Sequence, residues 1–172
     1  MRYLSNLSTN KTAWMLLSLS AILLELSALF FQYGLKLEPC IMCIYQRVAI
    51  WGIFIAGVVG TYSCKYIAGR FFALGSWGVG AIWGLLLAVE HHDIQTSTMS
   101  FLFSCEFTPN FPQWLPLHQW LPFLFEASGD CGDIDWQFFG YSMPQVMILV
   151  FAIYTAALTC VLFSQLMIKR KL

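Results

Sequence analysis

The sequence predicts an all-α membrane protein: a four-transmembrane-helix bundle with one long loop that carries a short membrane-surface helix. Three observations carry that prediction. Apolar residues make up 59% of the 172-residue chain and charged residues only 10%, with a mean hydropathy of +0.69. A soluble domain averages about 25% charged residues, so this chain lacks the polar groups to cover a water-facing surface. Four apolar segments reach the roughly 20 residues that a helix needs to cross the hydrocarbon. Finally, seven of the nine Lys and Arg residues fall on one side of those segments. The net charge is zero, and there is no basic patch of the kind that nucleic acid requires.

The spans are expected at Ala13 to Tyr33, Ile44 to Tyr62, Phe71 to Val89 and Pro144 to Ile168. The first follows Arg2 and Lys11, as a secretory signal would. It lacks a small-residue cleavage site, carries Glu25 within its apolar run and is longer than a signal core, so it reads as a retained helix. No internal repeat or low-complexity tract divides the chain, which is treated as a single domain over residues 1–172.

Orientation follows from charge. Arg2 and Lys11 precede span one, Lys65 and Arg70 lie between spans two and three, and Lys169, Arg170 and Lys171 follow span four. The positive-inside rule then puts both termini and the 63–70 loop in the cytoplasm. The opposite side holds a short loop, 34–43, and a long one, 90–143, which together contain four of the six cysteines.

Outside the cytoplasm thiols tend to become disulfides, so Cys40, Cys43, Cys105 and Cys131 should pair or cycle. Cys64 and Cys160 lie toward the inner side and read as ordinary reduced thiols. A zinc site is disfavoured, because only Cys40 and Cys43 have short ligand spacing and Cys105 and Cys131 are 26 residues apart. Two structural staples are a second reading. A Cys105–Cys131 link would stabilise a long loop by roughly 3–4 kcal/mol in the chain-entropy model, but a bridge from Cys40 to Cys43 constrains almost nothing.

Redox exchange is the reading that uses the surroundings of "LEPCIMCIYQR", residues 37–47. Pro39 is well placed to start a helix. Both sulfurs then sit in or near its first turn, where unpaired N–H groups and the dipole favour thiolate. Arg47, at i+4 from Cys43, lies on the same helix face. Stabilised thiolates make the disulfide a stronger oxidant, by about 1.4 kcal/mol for each 30 mV. The electrons then need an acceptor, and a quinone fits a disulfide at a membrane surface ringed by Ile41, Met42, Ile44, Tyr45 and Trp51. Arg47 could stabilise the negative charge that develops on its carbonyls; the competing reading is an arginine that merely snorkels to the interface. His91, in "VEHHD" at the exit of span three, is a candidate proton carrier or quinone hydrogen-bonding group. The plainer alternative makes His91 and His92 polar residues at the water boundary. Glu25 should face the bundle, neutral or hydrogen-bonded.

The segments "EPCIMCIYQR" and "SCEFTPNFPQWLPLHQWLPFLFEASGDC", with "MPQ" opening the last span, resemble the DsbB family, quinone-linked disulfide oxidoreductases of the bacterial inner membrane. The resemblance runs through most of the chain and implies a protein-dithiol:quinone oxidoreductase with a periplasmic DsbA-like thiol oxidase as partner. It implies that the partner attacks Cys105 of a Cys105–Cys131 disulfide, that Cys131 passes electrons to Cys40, and that Cys43 is released to engage the quinone. It also implies that Arg47 and His91 lie near the quinone, either ubiquinone or menaquinone, drawn from the membrane pool in the lipid bilayer. No metal is implied. The family's four-helix topology with cytoplasmic termini agrees with the charge count.

The long loop suits these roles. Its stretch "FPQWLPLHQWLPFLF" is rich in Trp, Phe, Leu and Pro and has no charge. Trp114, Trp120 and Phe123 suggest a short helix lying along the membrane, broken by prolines at either end; the alternative is that the stretch packs on the bundle top. Cys131 lies in "ASGDCGD", which suggests a flexible, solvated turn. Two rival readings remain: a relative of the same class serving another thioredoxin-fold partner, and, from a different class, a non-enzymatic tetraspan scaffold stapled by disulfides. An importer of reductant would need cysteines within the spans, reachable from both sides, and the paired cysteines are all on one face.

Overall fold

A computed structural model describes residues 7–96, 109–132 and 136–169. Cys105 therefore lies outside the described residues, as do Arg2, Arg170 and Lys171. A 3-10 turn at Leu7–Thr9 leads into α1, Lys11–Leu29, which Asn10 caps by accepting a hydrogen bond from the Thr12 N–H at 2.9 Å. The helix continues as a π-turn, Phe30–Gly34. The next long helices are α2, Ile41–Ser63, and α3, Ile67–Thr96. Two single turns follow, α4 at Leu117–Trp120 and α5 at Pro122–Phe125. A small hairpin of β1, Gln137–Phe138, and β2, Tyr141–Ser142, precedes α6, Met143–Lys169. Among the described residues, four helices are long and apolar enough to cross a membrane.

Two boundaries differ from the expectation. The third span runs to Thr96, seven residues past Val89, because "EHHDIQT" extends the helix with polar side chains where the apolar run has ended. The helix expected in the long loop is two separate turns, since Pro122 has no N–H to continue α4 and opens α5 instead. Trp114, Trp120 and Phe123 of that stretch are exposed, while Leu124 and Phe125 are buried against Ile44. The segment thus packs on the bundle with one side and leaves its indoles outward. Tyr33 and Tyr45 tie it down: the Tyr33 hydroxyl donates to the Phe123 carbonyl at 2.8 Å, and the Tyr45 hydroxyl accepts from the Asn110 N–H at 2.8 Å.

Helix α2 packs between α1 and α3, and α3 packs on α6. A hydrogen bond of 2.9 Å between Ser20 and Tyr154 joins α1 to α6. Small residues set the close approaches, as is usual where lipid supplies no hydrophobic drive between helices. At Gly84 a Cβ would collide with the fully buried Phe151 ring of α6. The core runs through Trp14, Trp77, Ile53 and Phe151, whereas Leu16, Leu23, Leu86 and Leu149 face outward.

The loop ahead of the hairpin is docked on the segment ahead of α2. The Ser128 and Gly129 N–H groups both donate to the Pro39 carbonyl, at 3.0 and 3.2 Å, and Gly129 forms a parallel bridge with Cys40. Glycine is needed here because a Cβ at 129 would strike the Glu38 carbonyl oxygen. Cys131 is in consequence fully buried, in contrast to the solvated turn that its Gly and Asp neighbours suggest. In the reduced protein, Gly129→Ala should cost this docking roughly 1–3 kcal/mol and accelerate maleimide labelling of Cys131 at least about fivefold. Labelling followed by mass spectrometry measures it; an unchanged rate would mean that the loop is held elsewhere.

Candidate redox site beside an apolar cavity

Cys40 is the N-cap of α2, with extended backbone at φ −79° and ψ 167°, and Pro39 stands just before the cap rather than inside the helix. The Cys40 sulfur accepts a hydrogen bond from the Cys43 N–H at 3.3 Å. The two sulfurs lie 2.8 Å apart. That is shorter than van der Waals contact and longer than the roughly 2.05 Å of a disulfide. Cys131, brought in by the docked loop, also hydrogen-bonds the Cys40 side chain. Cys40 is thus the sulfur shared by both pairs.

Sharing has an electrostatic consequence. The hydrogen bonds of the Cys40 thiol to Cys131 and then Cys43, with burial added, push its pKa well above an ordinary thiol's. The helix N-terminus was expected to favour thiolate at both sulfurs. At Cys40 it does not, because the side chain faces two other sulfurs and a single backbone N–H.

His91 reaches this cluster from α3 and is buried. Its Nε2 lies 3.5 Å from the Cys40 sulfur, and its Nδ1 lies 3.2 Å from the side-chain nitrogen of Gln46. The ring also hydrogen-bonds the Cys131 backbone. Donor atoms of Cys40, Cys43 and His91 lie within 4.8 Å of one another. Two sulfurs on one tetrahedral zinc, with bonds of about 2.3 Å, would stand about 3.8 Å apart. The observed 2.8 Å separation is shorter than that, so the two sulfurs as placed do not form a zinc ligand pair.

On the other side of Cys40 and Cys43 lies a cavity of about 220 Å³. Its apolar wall comes from α1, α2 and α6, including Leu24, Ala28, Ile50, Val146 and Met147. Its polar lining includes Glu25, Gln32, Gln46 and Arg47. Arg47 is only 6% exposed and does not snorkel. Its Nε pairs with a Glu25 carboxylate oxygen at 3.2 Å, one terminal nitrogen donates to the Gln32 side chain at 2.9 Å, and the same nitrogen donates to the Leu124 carbonyl. The i+4 spacing puts Arg47 and Cys43 on the same cavity, but the hydrogen bonds of the guanidinium go to the π-turn and α5.

The four long helices with a shared-sulfur cysteine cluster at one end find their match in known proteins. Residues 10–161 match the family model described as "Disulfide bond formation protein DsbB". A relative from Pseudoalteromonas translucida, a "Disulfide bond formation protein B", is 51% identical over the full length of both chains. Relatives of the same description from Pseudoalteromonas atlantica and Psychromonas ingrahamii are 53% and 51% identical, over 96% and 88% of this chain and 96% and 82% of theirs. The chain belongs to the DsbB family. It is a multi-pass disulfide-bond-formation protein with a redox role.

Of the six site residues expected in this DsbB-family chain, the structure brings together Cys40, Cys43, Cys131, Arg47 and His91, and Cys105 lies outside the described residues. His91 contacts the cysteines but is not among the residues that line the cavity. Cys64 is buried at the far end of α2 and Cys160 is exposed on α6, both away from the cluster. Gln32 and Gln46 were not singled out. Their signal was present: each is a polar side chain inside an apolar span, Gln32 seven residues from Glu25 on one helical face, and Gln46 beside Arg47.

The Glu25–Arg47 pair should be a stability determinant, because removing one partner strands a buried charge. Glu25→Leu alone should lower unfolding stability by roughly 3–5 kcal/mol, and the double variant with Arg47→Met should regain most of that loss. Denaturant unfolding in mixed micelles tests this; additive losses in the double variant would mean that the two charges are not coupled.

Proposed function

We propose that this protein is a protein-dithiol:quinone oxidoreductase that reoxidises a DsbA-like periplasmic thiol oxidase. The single observation that supports it best is the meeting of Cys131, Cys40 and Cys43 against an apolar cavity with a fixed cation in its wall. A scaffold stapled by disulfides has no use for that cavity or for a 40–43 pair. The charge bias puts the cysteine end of the bundle in the periplasm and both termini in the cytoplasm of the bacterial inner membrane.

The exchange proceeds by thiolate attack on sulfur. A partner thiolate attacks Cys105; the Cys105–Cys131 bond breaks and Cys131 leaves as thiolate. Cys131 attacks Cys40, the Cys40–Cys131 bond forms, and Cys43 leaves with the electron pair of the broken 40–43 bond. The second partner thiol displaces Cys105 and leaves the partner oxidised. Cys105 then recovers Cys131, and Cys40 is released as the second thiol of a 40–43 dithiol. Two electrons have moved from the partner to that pair.

The cavity fits a quinone ring. Apolar cavities of about 150 Å³ accept benzene, so 220 Å³ suffices for a substituted six-membered ring. A quinone held there supplies a sink for two electrons and two protons, and either ubiquinone or menaquinone meets that description. Leu24, Ile50, Val146 and Met147 would hold the ring, and Cys43 stands at the wall. Arg47 supplies positive charge that needs no reorganisation, since Glu25, Gln32 and the Leu124 carbonyl already orient it.

Purified protein should oxidise a dithiol partner only when quinone is supplied, followed by quinone absorbance. Arg47→Ala should raise the quinone KM by roughly tenfold or more while the partner KM moves little. Turnover without quinone would contradict the reading, and equal shifts in both constants would remove Arg47 from the quinone site.

A further inference from the structure

We propose that Gln46 and His91 form a positioning pair that selects Cys40, rather than Cys43, as the sulfur attacked by Cys131; this rests on the exchange sequence proposed above. Three contacts of one imidazole carry the inference. Gln46 meets Nδ1 through its amide nitrogen, at 3.2 Å, and an amide nitrogen can only donate. Nδ1 is therefore the acceptor, and the ring proton sits on Nε2. Nε2 faces the Cys40 sulfur at 3.5 Å. The ring also bonds the Cys131 backbone, and with Nδ1 occupied by Gln46 it is the Nε2–H that meets the Cys131 carbonyl. One N–H thus spans the two residues whose sulfurs must join.

The placement matters because exchange needs the attacking, central and leaving sulfurs in line. Cys40 is hydrogen-bonded to both Cys131 and Cys43. His91 holds the central sulfur and the backbone of the attacker together, so the Cys131 thiolate is delivered to Cys40. The Cys40–Cys131 bond forms, the Cys40–Cys43 bond breaks, and the electron pair leaves on Cys43, beside the cavity. Attack on Cys43 would instead leave the reduced sulfur at Cys40, the sulfur that His91 Nε2 faces, although both sulfurs line the cavity. Gln46 and His91 are both buried, so neither hydrogen bond is exchanged for water. Neither is a redox group; they act through where the sulfurs stand.

The exchange can be read without quinone or partner. Full-length protein with Cys105→Ala, stripped of quinone and isolated in acid with the 40–43 disulfide intact, is jumped to mildly alkaline pH. Acid quenching and mass spectrometry then follow the 40–131 and 43–131 bonds. His91→Ala and Gln46→Leu should each slow formation of the 40–131 bond by roughly tenfold or more, the worth of a buried hydrogen bond. Each should also let the 43–131 bond appear. His91→Gln, whose amide N–H can stand where the Nε2–H stood, should restore most of the rate, whereas His91→Asn, which mimics Nδ1, should not. Ring-nitrogen NMR should find the Nε2–H tautomer. Wild-type rate and 40–131 selectivity in both His91→Ala and Gln46→Leu would overturn the pair's role, as would failure of His91→Gln alongside His91→Ala. Because no quinone is present, a protein that shows these effects yet fails to turn over with quinone would sink the proposed acceptor and not this inference.

Discussion

Everything at the working end of the molecule depends on one backbone contact, the docking of residues 128–131 on the chain just ahead of α2. A single carbonyl, that of Pro39, accepts from both Ser128 and Gly129. Pro39 has no N–H to pair elsewhere, and glycine at 129 lets the two backbones touch. The contact buries Cys131 and carries its sulfur to Cys40 across 91 residues of chain. It also brings Asp130 and Trp136 to the mouth of the cavity, where Trp136 packs on Phe31 of the π-turn with ring centroids 4.9 Å apart. Without it the protein would hold a cysteine pair and a cavity but no route between them and the loop.

A second constraint fixes the interior. Arg47 is held at once by Glu25 and Gln32 of the first span and by the Leu124 carbonyl of the loop turn. A charge this deep is tolerated only when its hydrogen bonds are met. The network therefore does two things with the same contacts: it ties α1, α2 and α5 together, and it leaves a guanidinium oriented in the wall of an apolar cavity. The π-turn at Phe30–Gly34 contributes by presenting adjacent residues, Phe31 and Gln32, to that one cavity. Gln46, also in that wall, meets the buried His91, which in turn contacts the Cys40 sulfur.

The bundle was legible in the sequence because length and apolarity of a span are local properties, and four long runs could hardly become anything else. The docking of the loop was not. "ASGDCGD" has every local mark of a solvated turn, and nothing near position 131 announces that Gly129 will lie on Glu38. The overlong third span was missed for the complementary reason: "EHHDIQT" reads as a loop by polarity, while its helix is stabilised by continuation of α3 and by His91 facing inward. Charged and sulfur-bearing site residues stood out by type. Gln32 and Gln46 did not, since an uncharged amide draws notice only once its partner, Arg47 or His91, is seen beside it.

The central claim is that the cavity beside Cys43 receives the electron acceptor. Photo-crosslinking with an azido-substituted quinone, followed by peptide mapping of the full-length protein, tests it most directly. Adducts should map to the cavity wall on α1, α2 and α6, around Ala28, Ile50 and Met147, and should be competed away by unmodified quinone. Competable adducts confined to the far end of the bundle, near Cys64 or Cys160, would contradict the account.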